Sequence, residues 1–171
     1  MSVAREAESR IVRYLDALED ARIPPPGDTL EMIAFRPGMS AAVIDNGKLF
    51  PSIQAAAGDA GRVLMLQHDS NLVERMRQLS DGGRRFDLVV AVNLADWVTV
   101  LGEVTRILEE HGRLIVIECT QSAGPNTPAL VTFHEMVQLL EKNSWTVHRH
   151  GATGLHRYLL EATVTDQSVQ S

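Results

Sequence analysis

The sequence predicts one doubly wound α/β domain with a mainly parallel sheet, finished at its C-terminal end by an antiparallel hairpin. Two observations carry that expectation. From Pro37 onward, short β-branched-rich apolar runs alternate with helical segments, as they do where right-handed βαβ units cover both faces of a parallel sheet. The last two apolar runs instead follow one another across a glycine-containing turn, as the strands of a hairpin do.

The elements follow in order. Ala4 to Asp20 places Ile11, Leu15 and Leu18 on one stripe of an amphipathic helix, which must pack on something. Pro24-Pro25-Pro26-Gly27 stops that helix, and Asp28 is placed to cap a short second one through Leu30, Ile33 and Phe35. Ala41 to Ile44, Val63 to Leu66, Leu88 to Val92 and Leu114 to Ile117 read as buried strands. Ser52 to Ala57, Asn71 to Leu79 and Trp97 to Glu110 read as the helices between them. After a loop rich in Gly, Pro and Asn, Gln121 to Pro128, a helix from about Thr132 to Asn143 precedes strands at Thr146 to His150 and Tyr158 to Val164. The expected division is a helical extension over 1–36, the α/β domain over 37–165 and a tail over 166–171.

Composition narrows the function. The chain has 171 residues, 44% of them hydrophobic, so one domain with its own core is the expectation. A net charge of -6 without clustered Lys and Arg argues against a nucleic-acid surface. No apolar run is long enough to span a membrane, and Met1 to Arg10 lacks the apolar stretch of a signal peptide, so a soluble cytoplasmic protein is expected. The single cysteine, Cys119, excludes an internal disulfide and a cysteine-rich zinc site.

Framework motifs from Pro37 to Thr165 resemble those of class I S-adenosylmethionine (SAM) methyltransferases. Arg36-Pro37-Gly38-Met39 is similar to the turn that leads into the family's first strand, Gly61-Arg62-Val63 to the start of its second, and Phe86-Asp87-Leu88-Val89-Val90-Ala91 to its fourth. Val104 through Glu118, with His111-Gly112 at its turn, resembles the helix, turn and fifth strand. The resemblance implies a Rossmann-like sheet of the methyltransferase type.

It also implies a cofactor site, and this chain departs from that site in three places. The loop after the first strand normally carries an acidic residue and a G-x-G-x-G run, because Cβ atoms would block close approach of the backbone to the cofactor. Here the stretch is Val43-Ile44-Asp45-Asn46-Gly47-Lys48-Leu49, with Leu49 where the third glycine belongs. Shifting the register by two makes Asp45 the acidic residue but sets Leu49 in the middle of the run. Gln67 stands where a carboxylate accepts the ribose hydroxyls; an amide lacks the charge that strengthens such a grip, and Asp69 is a displaced substitute. Only Ser80-Asp81-Gly82-Gly83-Arg84-Arg85 separates the second helix from the next strand, too short for the family's third βα unit. That unit is expected to be missing, which would leave Val63-Leu64-Met65-Leu66 at the sheet border.

The remnant cofactor positions are therefore Asp45, Gly47, Gln67 and Asp69, together with Asn93, which follows the strand similar to the family's fourth, where polar groups would face the mouth of the cleft; no catalytic residue and no metal ligand is assigned. Asp96 reads as a helix cap ahead of a catalytic base. His148 and His150 read as surface histidines, His134 lacks its second metal-binding partner because Gln138 stands there, and Cys119 reads as a structural thiol. Met39, Met65 and Met76 read as core filler.

Three functions fit. The first is a catalytically silent methyltransferase-like domain, a partner or regulatory subunit whose exposed edge pairs with a second chain or is covered by the Ala4 to Asp20 helix. The second is an active small methyltransferase acting on a small molecule with SAM as cofactor. The third is a sensor that binds another metabolite in the cleft, with Lys48 favouring an anion.

Overall fold

The computed structural model describes residues 28–45, 49–92, 94, 96–119, 131–152 and 157–166. The helix expected at Ala4 to Asp20, the loop at Gln121 to Pro128, and Asn46, Gly47, Lys48 and Asn93 lie outside the described residues, as do the side chains of Asp45 and Cys119.

A short helix, α1 (Asp28–Ile33), precedes β1 (Ser40–Asp45), α2 (Phe50–Ala57), β2 (Arg62–Gln67), α3 (Leu72–Asp81), β3 (Phe86–Val92), α4 (Trp97–Ile107), β4 (Leu108–Cys119), α5 (Phe133–Lys142), β5 (Trp145–Ala152) and β6 (Arg157–Val164). The six strands form one sheet in the order β2-β1-β3-β4-β6-β5. β2, β1, β3 and β4 run parallel; β6 inserts antiparallel between β4 and β5. The expected α/β architecture with an antiparallel pair is what the chain adopts.

Side-chain alternation divides the core in two. Ala42 and Ile44 of β1, Val89 and Ala91 of β3, and Leu114 and Val116 of β4 face a layer built from α3, α4 and α5. Ala41, Val43, Leu88, Val90, Ile115 and Ile117 face the other layer, where Ile33 of α1 and Ile53 of α2 pack. The helices form where apolar spacing and end signals agree. In α4, Trp97, Val100, Leu101, Val104 and Ile107 are buried along one stripe. α5 starts with a capping box, in which Thr132 and Glu135 satisfy one another's backbone N–H groups. The turn before β1 has Pro37 followed by Gly38 at φ 88°, and the Met39 N–H returns to the Arg36 carbonyl at 3.2 Å; only glycine adopts that φ without strain.

Two ion clusters fasten helices to neighbours. Glu161 of β6 accepts from Arg113 of β4 at 3.2 Å and from Arg149 of β5. The same two guanidinium groups donate to the Met32, Ile33 and Ala34 carbonyls at the end of α1, groups that a helix leaves unpaired. Between α3 and α4, Glu103 accepts from Arg77 at 2.9 Å.

Two expectations need correction. The helix expected to run to Glu110 ends at Ile107, and Leu108 already belongs to a twelve-residue strand: Leu108 pairs with Phe86, and a register shift separates that pair from Leu88 and Arg113. Met65, expected as core filler, is 40% exposed, because β2 is the outermost strand on its side of the sheet. Met76 is fully buried, as expected.

Candidate functional site

Open α/β sheets bind ligands at the C-terminal ends of their strands, where the strand order reverses. In this sheet the reversal lies between β1 and β3, since the chain passes from β1 outward to β2 and then returns to β3 on the other side. The register aligns the strand ends there. Asp45 is level with Gln67, Ile44 with both Leu66 and Ala91, and Val92 with Ile117, so β4 carries Glu118 and Cys119 one step further toward the mouth.

The expected cofactor positions occupy this rim unevenly. Asp45 ends β1, and Gly47 and Asn93 follow β1 and β3 outside the described residues. Gln67 is exposed at the end of β2, and its backbone carbonyl accepts from the Asp69 N–H at 3.0 Å and from the Arg75 guanidinium. Asp69 is held locally: its two oxygens accept from Arg75 at 3.0 and 3.2 Å, and one also accepts from the Asn71 N–H at 2.8 Å. Those bonds, the Arg75 side chain first, hold its carboxyl below the usual range. The displaced carboxylate is thus bound to the first turns of α3.

Asp96 caps α4. Its carboxylate accepts from the Thr99 hydroxyl at 2.6 Å and the Thr99 N–H at 3.2 Å, which lowers its pKa. Leu49, at the position the resemblance assigns to the third glycine, is 3% exposed and packs with Ile53, Val43 and their neighbours. His148 and His150 are exposed on β5, with His148 bonded to Thr163 and His150 edge-on to Phe133 at 5.0 Å. Among the described residues, no three His, Cys, Asp or Glu side chains are placed to hold a metal ion.

One residue of the rim was not singled out by the sequence. Glu118 is 2% exposed, and its Oε1 accepts from the Leu94 N–H at 2.9 Å and the Trp97 Nε1 at 2.7 Å. Burial raises its pKa to about 7, with the two hydrogen bonds opposing the rise. The available signal was an acid ending the apolar run Leu114 to Ile117, at a position that alternation places on the α4 side.

Of three surface cavities lined by described residues, two lie away from this rim and one reaches Leu66 and Arg75 at its β2 side. One of about 530 Å³ is lined by Ala57, Gly58, Gly61 and Arg62 at the start of β2, and one of about 690 Å³ by Pro37, Met39, Asp87 and His111 at the starts of β1, β3 and β4. The third, about 350 Å³, runs along β2 beside α3, between Met65, Leu66 and Leu79. Neither Gln67 nor Asp69 lines any of the three. Among the described residues, no helix is long and apolar enough to cross a membrane.

No protein-family model matches the chain, and no curated protein matches it. Solved structures do. A SAM-dependent methyltransferase from Aquifex aeolicus superimposes with a TM-score of 0.62 at 15% identity, over 79% of this chain and 87% of that one. The fibrillarin of Aeropyrum pernix, solved with natively bound SAM, gives 0.58 at 11% identity, over 75% and 68%. The mitomycin 7-O-methyltransferase MmcR gives 0.53 at 20% identity over 74% of this chain, which spans only 49% of that longer protein. Strand order, the antiparallel pair and these superpositions together give this chain the fold of class I SAM-dependent methyltransferases.

Proposed function

We propose that this chain is a methyltransferase-fold domain that transfers no methyl group and serves as a partner or regulatory subunit. One observation carries the reading: the sheet stops at β2 among the described residues, so the family's third βα unit, part of the cofactor site the resemblance implies, has no counterpart there. Two others support it. Gln67 offers an amide in place of a ribose-binding carboxylate, while Asp69 is committed to Arg75 and Asn71. Leu49 spends its side chain in the core at the start of α2, where the family leaves a Cβ-free backbone for the cofactor. On these residues SAM does not fit in the manner of the family.

A second reading, an active small methyltransferase, rests on Glu118, a carboxyl at the rim that titrates near neutrality. Calorimetric titration of the full chain with SAM and with its demethylated product decides between them. The proposal expects no saturable heat at millimolar ligand. Stoichiometric binding at micromolar ligand would overturn it and favour the second reading.

A further inference from the structure

The parallel pairing of β2 with β1 fixes which of its backbone groups point outward. The Arg62 N–H donates to the Met39 carbonyl at 3.3 Å, and Arg62, Leu64 and Leu66 are level with Ser40, Ala42 and Ile44. In a strand the N–H and C=O of one residue point to the same side and alternate along the chain. The groups of Val63, Met65 and Gln67 therefore face away from the sheet. The Gln67 carbonyl is already taken by the Asp69 N–H and Arg75, which among the described residues leaves Val63 and Met65 as the ladder the edge presents.

Edge strands are ordinarily blunted by lysine, proline, a bulge or an inward charge. β2, Arg-Val-Leu-Met-Leu-Gln, has no lysine or proline and pairs with β1 through all six residues without a register shift. Its middle, Val63 to Met65, is apolar and partly or well exposed, with Met65 at 40%. Cavities open along the edge on both sides, one reaching Val63 and Leu64 and the other Leu64 and Met65. Such an edge fits another strand.

We propose that the partner of this edge is a second copy of the same chain, paired β2 to β2 in antiparallel fashion about a two-fold axis at Leu64. Strand chemistry selects that occupant and that register. A two-fold axis perpendicular to the sheet keeps each face on its own side, so opposed residues must both be odd or both be even. Centring on Leu64 sets Val63 opposite Met65 of the other copy, and Met65 opposite Val63. All the outward N–H and C=O groups of these two residues then exchange hydrogen bonds. Leu64 meets Leu64, apolar residues meet only apolar ones across the centre, and the strand's one charge, Arg62, lies opposite Leu66 with no like charge facing it. Centring on Met65 instead turns the Val63 N–H toward the Gln67 carbonyl that is already occupied. The result is a continuous twelve-stranded sheet with isologous contacts. It rests on the same sheet border at β2 as the proposed function, and its test is separate, because a dimer forms by this route whether or not the cleft binds SAM.

Sedimentation equilibrium of the full chain, with two variants, tests it. The intact protein is expected to be a dimer. Met65→Lys, which puts a blunting charge at an exposed position, is expected to be a monomer with an unchanged circular dichroism spectrum. In a Cys119→Ser background, Leu64→Cys is expected to give a covalent dimer on mild oxidation, since directly opposed residues of a non-hydrogen-bonded pair lie about 4.5 Å apart between Cα atoms, within disulfide reach. A monomeric intact protein overturns the inference and points to a different partner chain or to none. A dimer that persists in folded Met65→Lys, or a dimer in which Leu64→Cys does not cross-link, places the interface or the register elsewhere and overturns it equally.

Discussion

The indole N–H of Trp97 donates to the Glu118 carboxylate at 2.7 Å, and the Leu94 N–H donates to the same oxygen, so one acid at the end of β4 holds both the chain leaving β3 and the first residue of α4. The rim of the crevice is organised around that buried oxygen.

Its titration has a direction. The folded pKa is raised from 4.5 to about 7, so between those values the folded protein holds a proton that the unfolded chain has released. Stability contributed by this group is therefore full below 4.5 and lost as pH rises toward 7, by on the order of 3 kcal/mol at most. Glu118→Gln keeps an acceptor for Trp97 and Leu94 and removes the titration. Thermal melts from about pH 5 to 8 are expected to show a falling midpoint in the parent that the variant lacks; matching slopes would contradict the assignment.

Asp96 acts as a cap, and its substitutions should rank accordingly. Asp96→Ala is expected to cost about 1 kcal/mol in urea denaturation, whereas Asp96→Asn, which keeps an acceptor for the Thr99 N–H, costs a fraction of that. Equal losses in both would mean that the charge matters beyond the cap.

Gly61 lies where β2 is drawn against the end of α2. A Cβ there would sit 2.5 Å from the Ala57 Cβ and 2.7 Å from the Ala57 carbonyl oxygen, neither of which is the tip of a flexible side chain. Gly61→Ala is expected to destabilise by about 1 to 3 kcal/mol. A neutral result in chemical denaturation would show that α2 can slide off β2 freely.

Glu161 joins Arg113 and Arg149 to the end of α1. Glu161→Ala leaves two cations facing each other, Arg113 only 19% exposed; the loss is expected to be about 2 kcal/mol or more, discounted for the half-exposed Arg149. Amide exchange is the sharper measurement, because α1 should lose protection before the parallel strands do. Uniform loss across the sheet would show that the cluster serves the whole fold.

Much of this architecture was legible because both periodicities were clean. Ala41 to Ile44 and Leu88 to Val92 are continuous apolar runs of strand length, and α4 shows its whole stripe from Trp97 to Ile107. The boundary at Leu108 was not legible: Leu108-Glu109-Glu110 has good helical propensity locally, and pairing with Phe86 overrides it. The exposure of Met65 followed from the missing unit, yet an isolated methionine in an apolar run reads as core. The rim was half legible. Strand ends marked Asp45 and Gln67, but that Asp69 belongs to Arg75 depends on how α3 turns back against β2. Glu118 acquires its meaning only when Trp97 folds over it.

The place of β6 has a temporal consequence. β5 is synthesised first, yet in the sheet it is bonded to β6 and lies at the border, while β6 fills the slot beside β4. A nascent chain that has emerged only as far as Ala152 carries β5 with no strand to receive it. Release before Val164 therefore forfeits two strands at once and leaves the flank of β4 bare.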